Sequence, residues 1–251
     1  MLGRCYALAL LAVALALPAV RAQNPGSYNE IDTKARGNVQ DKGEVWILKF
    51  RFYSPRLITV DIPGRGRRLC WYLLYHVSNP DPKEPHTFHP LFELVTHDGV
   101  PRSYRDQVLP TAQKAIQQIE DPTGLLNIQN SVTIENTPLP PTRPGSTPRY
   151  VTGVAIWDDV NPETNQFSIL VTGLSNGWSV DDRDVLRRKT LILDFQRLGD
   201  SNNKDARDIR FVRDRWEYLA LSKKPAETPK PKDKSPDAGR PADKPADVPK
   251  R

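Results

Sequence analysis

The sequence is poor in the residues that cross-link an exported chain. It has two cysteines in 251 residues, and Cys5 lies in an N-terminal stretch expected to be removed. The remaining thiol, Cys70, cannot close an internal disulfide, so stability has to come from a packed core. Cys70 stands in the apolar run Leu69-Cys70-Trp71-Tyr72-Leu73-Leu74-Tyr75 and reads as a small buried apolar residue. Long hydrophobic runs are missing beyond the N-terminus, so no transmembrane segment is expected in the mature chain. Charge of one sign is also missing from the body. The formal net charge is +6, but Arg4 and Arg21 lie in the leader. Residues 222–251 carry nine basic and five acidic side chains, and the rest of the chain balances. A nucleic-acid binder concentrates basic charge on its folded domain, so nucleic acid is not an expected partner. Gly-rich phosphate loops are absent, and no cofactor is expected.

What is present begins with an export signal. Met1-Leu2-Gly3-Arg4 is short and positive, an apolar run follows from Tyr6 to Leu17, Pro18 breaks it, and Val20-Arg21-Ala22 suits a signal peptidase. The run is too short to span a bilayer. A signal peptide over 1–22 is therefore expected, with a mature protein that starts at Gln23 and works in the periplasm, the cell envelope or the extracellular space. Residues 23–43 read as a flexible leader, 44–221 as the folded domain, and 222–251 as a disordered tail rich in Pro, Lys, Ala and Asp. That tail is a solvated spacer or a weak electrostatic grip on an anionic envelope polymer.

Strand-like runs dominate the body. Trp46, Leu48, Phe50 and Phe52 alternate with polar residues, the period of a half-buried strand. Leu57 to Ile62 reads as a second strand, and Pro63-Gly64-Arg65-Gly66 as a turn. Leu69 to Val77, apolar on both faces, reads as a central strand. Leu91 to His97 follows as a strand. Leu109, Ala112, Ile116 and Ile119 have helical spacing, with Pro110 in the first turn. Leu125 to Ile134 reads as a weak strand, and 137–148, with five prolines, as a loop. Val151 to Trp157 and Phe167 to Thr172 read as a hairpin, and Leu186 to Phe195 and Ile209 to Leu221 complete the set. Many short strands with turn signals between them predict a mainly β fold, an immunoglobulin-like β-sandwich with one short helix.

Three constellations could carry chemistry. Gly173-Leu174-Ser175-Asn176-Gly177 matches the nucleophile-elbow pattern, which would make Ser175 a hydrolase nucleophile. No helical pattern follows it, however, and all four histidines precede the serine in the chain, against the order of that fold. A tight turn with positive φ at Gly173, Asn176 and Gly177 is the preferred reading. His76, His86, His89 and His97 are the only histidines and lie within 22 residues. If the strands ending at His76 and His97 paired, the four imidazoles could converge on zinc or copper. Their spacing matches no ligand motif, and exposed polar residues on a strand connection are the preferred reading. Asp159, Asn161, Glu163 and Asn165 alternate as calcium ligands do, but Thr164 and Leu170 stand where an EF-hand needs Gly and Glu.

Trp71-Tyr72-Leu73-Leu74-Tyr75-His76-Val77-Ser78-Asn79, followed by Phe92-Glu93-Leu94-Val95-Thr96-His97-Asp98-Gly99, resembles the start of small exported immunoglobulin-like domains. Gly153-Val154-Ala155-Ile156-Trp157, Gly173-Leu174-Ser175-Asn176-Gly177-Trp178 and Arg188-Lys189-Thr190-Leu191 resemble a family of uncharacterised secreted proteins typical of planctomycete bacteria. The resemblance covers Glu44 to Tyr218. It implies export and an all-β fold, and it brings no activity or site residues. The expectation is a non-enzymatic interaction or structural module of the cell envelope, acting on an envelope protein or an anionic polymer. A metal-binding envelope protein using the four histidines and a hydrolase centred on Ser175 are the alternatives.

Overall fold

Strand β4 (Gly66–Ser78) organises the fold because both of its faces are apolar. Trp71, Leu73, Tyr75 and Val77 point into one core, and Cys70, Tyr72 and Leu74 into another. In this computed structural model, residues 30–34, 37, 41, 43–198 and 209–220 are described. The expected signal peptide, the start at Gln23, most of the leader and the 222–251 tail lie outside them.

On one side β4 pairs with β2 (Lys49–Phe52) through its C-terminal half and with β3 (Arg56–Ile62) through its N-terminal half. On the other side it pairs with β7 (Tyr150–Trp157). The edge strand β1 (Ile31–Asp32) pairs with β2. The second sheet runs β11 (Ile209–Ala220), β10 (Leu186–Arg197), β8 (Gln166–Thr172), β5 (Leu91–Thr96) and β6 (Arg102–Arg105), with β9 (Trp178–Val180) on β10 beside β8. All strand pairs are antiparallel. The described residues thus form a mainly β protein, a β-sandwich with a single α-helix.

The sandwich core is strongly aromatic. Phe50, Phe52, Trp71, Tyr75, Phe92 and Phe167 are among the side chains fully removed from water, each contributing about 1.5–3 kcal/mol relative to exposure. Ring pairs such as Tyr75–Phe92, 4.8 Å between centroids, fix their packing. Gly153 faces Tyr75 across the β4–β7 pair. A Cβ there would lie 2.4 Å from the tyrosine ring, so only glycine leaves room for it.

Helix α1 (Pro110–Glu120) covers the outer face of the first sheet. Ala112 and Ile116 are buried there beside Leu109, while Ile119 is exposed. The far end is fastened by Arg56, which pairs with Glu120, and by the Tyr72 hydroxyl, which donates to Glu120 Oε1 at 2.6 Å. This second, smaller core buries Cys70 and pushes its thiol pKa up to about 11, by burial first and then by the charge of Asp158.

Several sequence expectations change. Leu125 to Ile134 is not a strand. The Asp121 carboxylate accepts from the amides of Leu125 and Leu126 and curls the chain into turns, and Ile134–Asn136 is a 3-10 turn. Strands β7 and β8 do not form a hairpin, because they belong to opposite sheets. Their connection leaves the first sheet at Asp158, which pairs with Arg65, and joins the second where Asp98 accepts from the Asn165 and Gln166 amides. The expected leader contributes structure: β1 adds to the first sheet, Thr33 bonds to the Phe50 carbonyl, and the Trp216 indole of β11 donates to the Lys34 carbonyl. Further on, Asp41 reaches the interior end of the second sheet. There it takes Lys189 Nζ at 2.8 and 2.7 Å and the Tyr218 hydroxyl at 2.6 Å. Residues 31–34 and Asp41 therefore strap the first sheet to the second through these contacts.

Candidate functional site

The four histidines go to four different places, because β4 and β5 lie in opposite sheets. His76 Nδ1 meets Thr152 Oγ1 at 2.9 Å, and its ring packs on Tyr53 and Tyr150. Burial, ahead of the opposing pull of Glu30, lowers its pKa. His97 Nε2 lies 2.7 Å from Ser168 Oγ, which in turn donates to Asp194 Oδ1 at 2.6 Å. His89 is exposed, 3.8 Å from Glu135. His86 lines a cleft and is buried, which corrects the expectation of a surface residue there, while His89 and His97 are exposed as expected. The reason is local: a two-bond backbone bridge to Leu139 fixes His86, and its ring is held between the Trp46 ring and Asp81. Among the described residues no group of three His, Cys, Asp or Glu side chains is placed to hold a metal ion.

Ser175 is likewise structural in its contacts. Its hydroxyl accepts from the Gly177 amide at 3.1 Å within its own turn. Of the three positions expected to take positive φ, Gly173 alone does so, at 96°. A Cβ at Gly173 would meet the His89 carbonyl oxygen at 2.0 Å. The turn serves instead as an edge for the strand entering β2. Ile47 bridges Ser175, the Leu48 amide donates to the Leu174 carbonyl at 2.7 Å, and Asn176 Oδ1 accepts from the Trp46 amide at 2.9 Å. Asn176 Nδ2 returns a bond to the Glu44 carbonyl.

Those bonds place Trp46 in the wall of a cleft of about 690 Å³, where it also packs half-buried against the sandwich core. Glu44, Trp46, Asn79, Asp81, Glu84 and His86 are among its lining residues. The Trp46 and His86 rings stack with centroids 4.4 Å apart and planes 12° from parallel. His86 Nε2 lies 3.0 Å from Asp81 Oδ2. The other Asp81 oxygen accepts from the Lys83 and Glu84 amides, and Asn79 Oδ1 accepts from the Asp81 amide at 2.9 Å. The Asp81 pKa is lowered by the Lys83 amide first and by His86 after it. Asn79, itself buried, donates to the carbonyls of Glu84 and Leu139. The arrangement is a rigid aromatic platform fixed by a hydrogen-bonded turn and rimmed by carboxylates.

The chain matches no family model, no curated protein and no solved structure.

Trp46 was visible in the sequence only as one member of a strand face. Its partner His86 is forty positions away, and no local pattern links the two. No helix among the described residues is long and apolar enough to cross a membrane.

Proposed function

We propose that this protein is an exported, non-enzymatic interaction module of the cell envelope, and that the Trp46–His86 cleft is its binding surface. The observation that carries the reading is how the polar groups around the stack are used. Asp81, Asn79 and His86 spend their hydrogen-bonding capacity on one another and on the local backbone, so they hold Trp46 in place. An aromatic side chain held by stacking in a polar cleft is an affinity anchor, because little conformational freedom is lost when a partner lands on it. The charge of the rim favours an envelope protein presenting basic groups; an anionic polymer fits the basic segment 222–251 instead.

The strand order supports an immunoglobulin-like reading of the sandwich. Strand β4 sits between β2/β3 and β7 in one sheet, and β8 sits between β5 and β10 in the other. Numbered from β2/β3 as strand A, this is A-B-E facing C′-C-F-G, the alternation of an immunoglobulin domain. Strand β11 is then an addition at the G edge.

Affinity capture from isolated envelopes tests the function. Immobilised wild-type protein is expected to retain a defined set of envelope components that Trp46→Ala loses and Ser175→Ala keeps. An identical set on all three columns would remove the cleft from the function.

A further inference from the structure

The cleft lies close to the place where the described chain ends. Strand β11 finishes at Ala220, which pairs with Arg187. Two residues along β10, the Lys189 amide donates to the Gly177 carbonyl, and Gly177 adjoins Asn176 of the cleft wall. Through these contacts Ala220 and Asn176 are separated by no more than about 22 Å, taking ~5.5 Å across each strand pair and ~3.4 Å per strand residue. Residues 221–251 follow Ala220. An extended Pro-rich chain advances about 3.1 Å per residue, so everything from Lys230 onward is within reach.

Charge and shape match as well. Glu44, Asp81 and Glu84 face a single lysine, Lys83, around the cleft. Residues 222–251 carry nine basic side chains against five acidic ones and contain seven prolines. Their densest stretch is Pro229-Lys230-Pro231-Lys232-Asp233-Lys234-Ser235-Pro236. Pro-rich segments dock on aromatic platforms at small entropic cost because their backbone is already extended, and a lysine beside an indole adds a cation–π attraction.

We propose that the cleft is the docking site of the chain's own C-terminal segment, with Lys230, Lys232 and Lys234 set against Glu44 and Glu84 and proline rings against Trp46. The inference rests on reading the cleft as a binding surface. Tethering puts the segment at roughly millimolar effective concentration, so a weak site is filled. An outside partner must then displace it, which means a basic, proline-containing segment of greater affinity.

Zero-length carbodiimide cross-linking of the full chain, at a concentration where it is monomeric, joins amines to carboxylates in direct contact. Mass spectrometry of the monomer band is expected to show isopeptide links from Lys230, Lys232 or Lys234 to Glu44 and Glu84, in excess over the exposed Asp159 and Glu163. The yield should fall about tenfold between roughly 0.05 and 1 M salt, and should drop in Trp46→Ala. Lys83→Glu, a surface change that leaves the packing intact, should raise it about twofold. Links scattered evenly over exposed carboxylates, or confined to a covalent dimer, would overturn the proposal. If they scatter while Trp46→Ala still loses the captured envelope components, the cleft stands as a binding surface and only its internal ligand is rejected.

Discussion

Replacing Asp41 with alanine should be among the most damaging single changes in this protein, although Asp41 lies in a segment that reads as a flexible leader in the sequence. The Lys189 side chain is fully buried, and the Asp41 side chain is 18% exposed. The ammonium sits 6.0 Å from the centre of the Trp216 ring, and the Tyr218 hydroxyl shares the carboxylate. Removing one partner of a buried ion pair costs about 3–5 kcal/mol, because the other charge stays behind in the low-dielectric interior. The partial exposure of Asp41 puts the expected loss near the lower end, at about 3 kcal/mol. At roughly 2–4 °C per kcal/mol for a domain of this size, the melting temperature should drop by about 6–12 °C. Asp41→Asn keeps an acceptor for Tyr218 and should cost less than Asp41→Ala. Lys189→Met removes the charge and keeps the volume, so the double variant Asp41→Ala/Lys189→Met should recover at least ~2 kcal/mol of the single loss. Urea denaturation of the four proteins gives the cycle. A loss below about 0.5 kcal/mol for Asp41→Ala, or no recovery in the double variant, would refute both the strap and the buried pair.

Three further outcomes follow from the packing and the shifted acid–base groups. Gly153→Ala should lose about 1–3 kcal/mol or more in chemical denaturation, because the new methyl group overlaps the Tyr75 ring, and Val151→Ala in the same strand should lose less than Gly153→Ala. The Cys70 thiol should not react with a disulfide reagent at pH 8 until the protein unfolds. Its pKa is raised from 9.0 to about 11 in the folded state, so its contribution to stability is complete below pH 9 and is lost as pH rises from 9 through 11; prompt reaction of the native protein would contradict this. The His76 pKa is lowered by burial, so its contribution is present above 6.5 and is lost as pH falls below that value. In an NMR titration its ring should protonate at lower pH than a free histidine, and a midpoint at or above 6.5 would be wrong for the packing described.

Much of the sandwich was legible from alternation. The period of Leu48, Phe50 and Phe52 located β2, the double-sided run around Trp71 located β4, and the spacing of Leu109, Ala112 and Ile116 located the helix. Partnership was not legible. A strand pattern is the same whether its successor turns back in one sheet or crosses about 10 Å to the other, which is why β7 and β8 read as a hairpin. Strands β6 and β9, four and three residues long, are too short to show a period and are held by register with β5 and β10. The Ile31–Asp32 strand escaped because its reason lies in β2, twenty residues on. For the site, the histidines drew attention as a group, whereas the feature that organises the cleft is one of them, His86, stacked on a tryptophan from another part of the chain. The G-x-S-x-G turn mattered as well, as the edge that holds the Trp46 strand.

The most direct test of the binding surface is hydrogen–deuterium exchange on the full chain with and without its captured envelope partner. The account predicts slowed exchange at the amides of 44–47, 79–86 and 175–177, with the outer face of the second sheet around Arg213 and Arg215 unchanged. Protection confined to that outer face, with the amides around Trp46 and His86 exchanging as before, would contradict it.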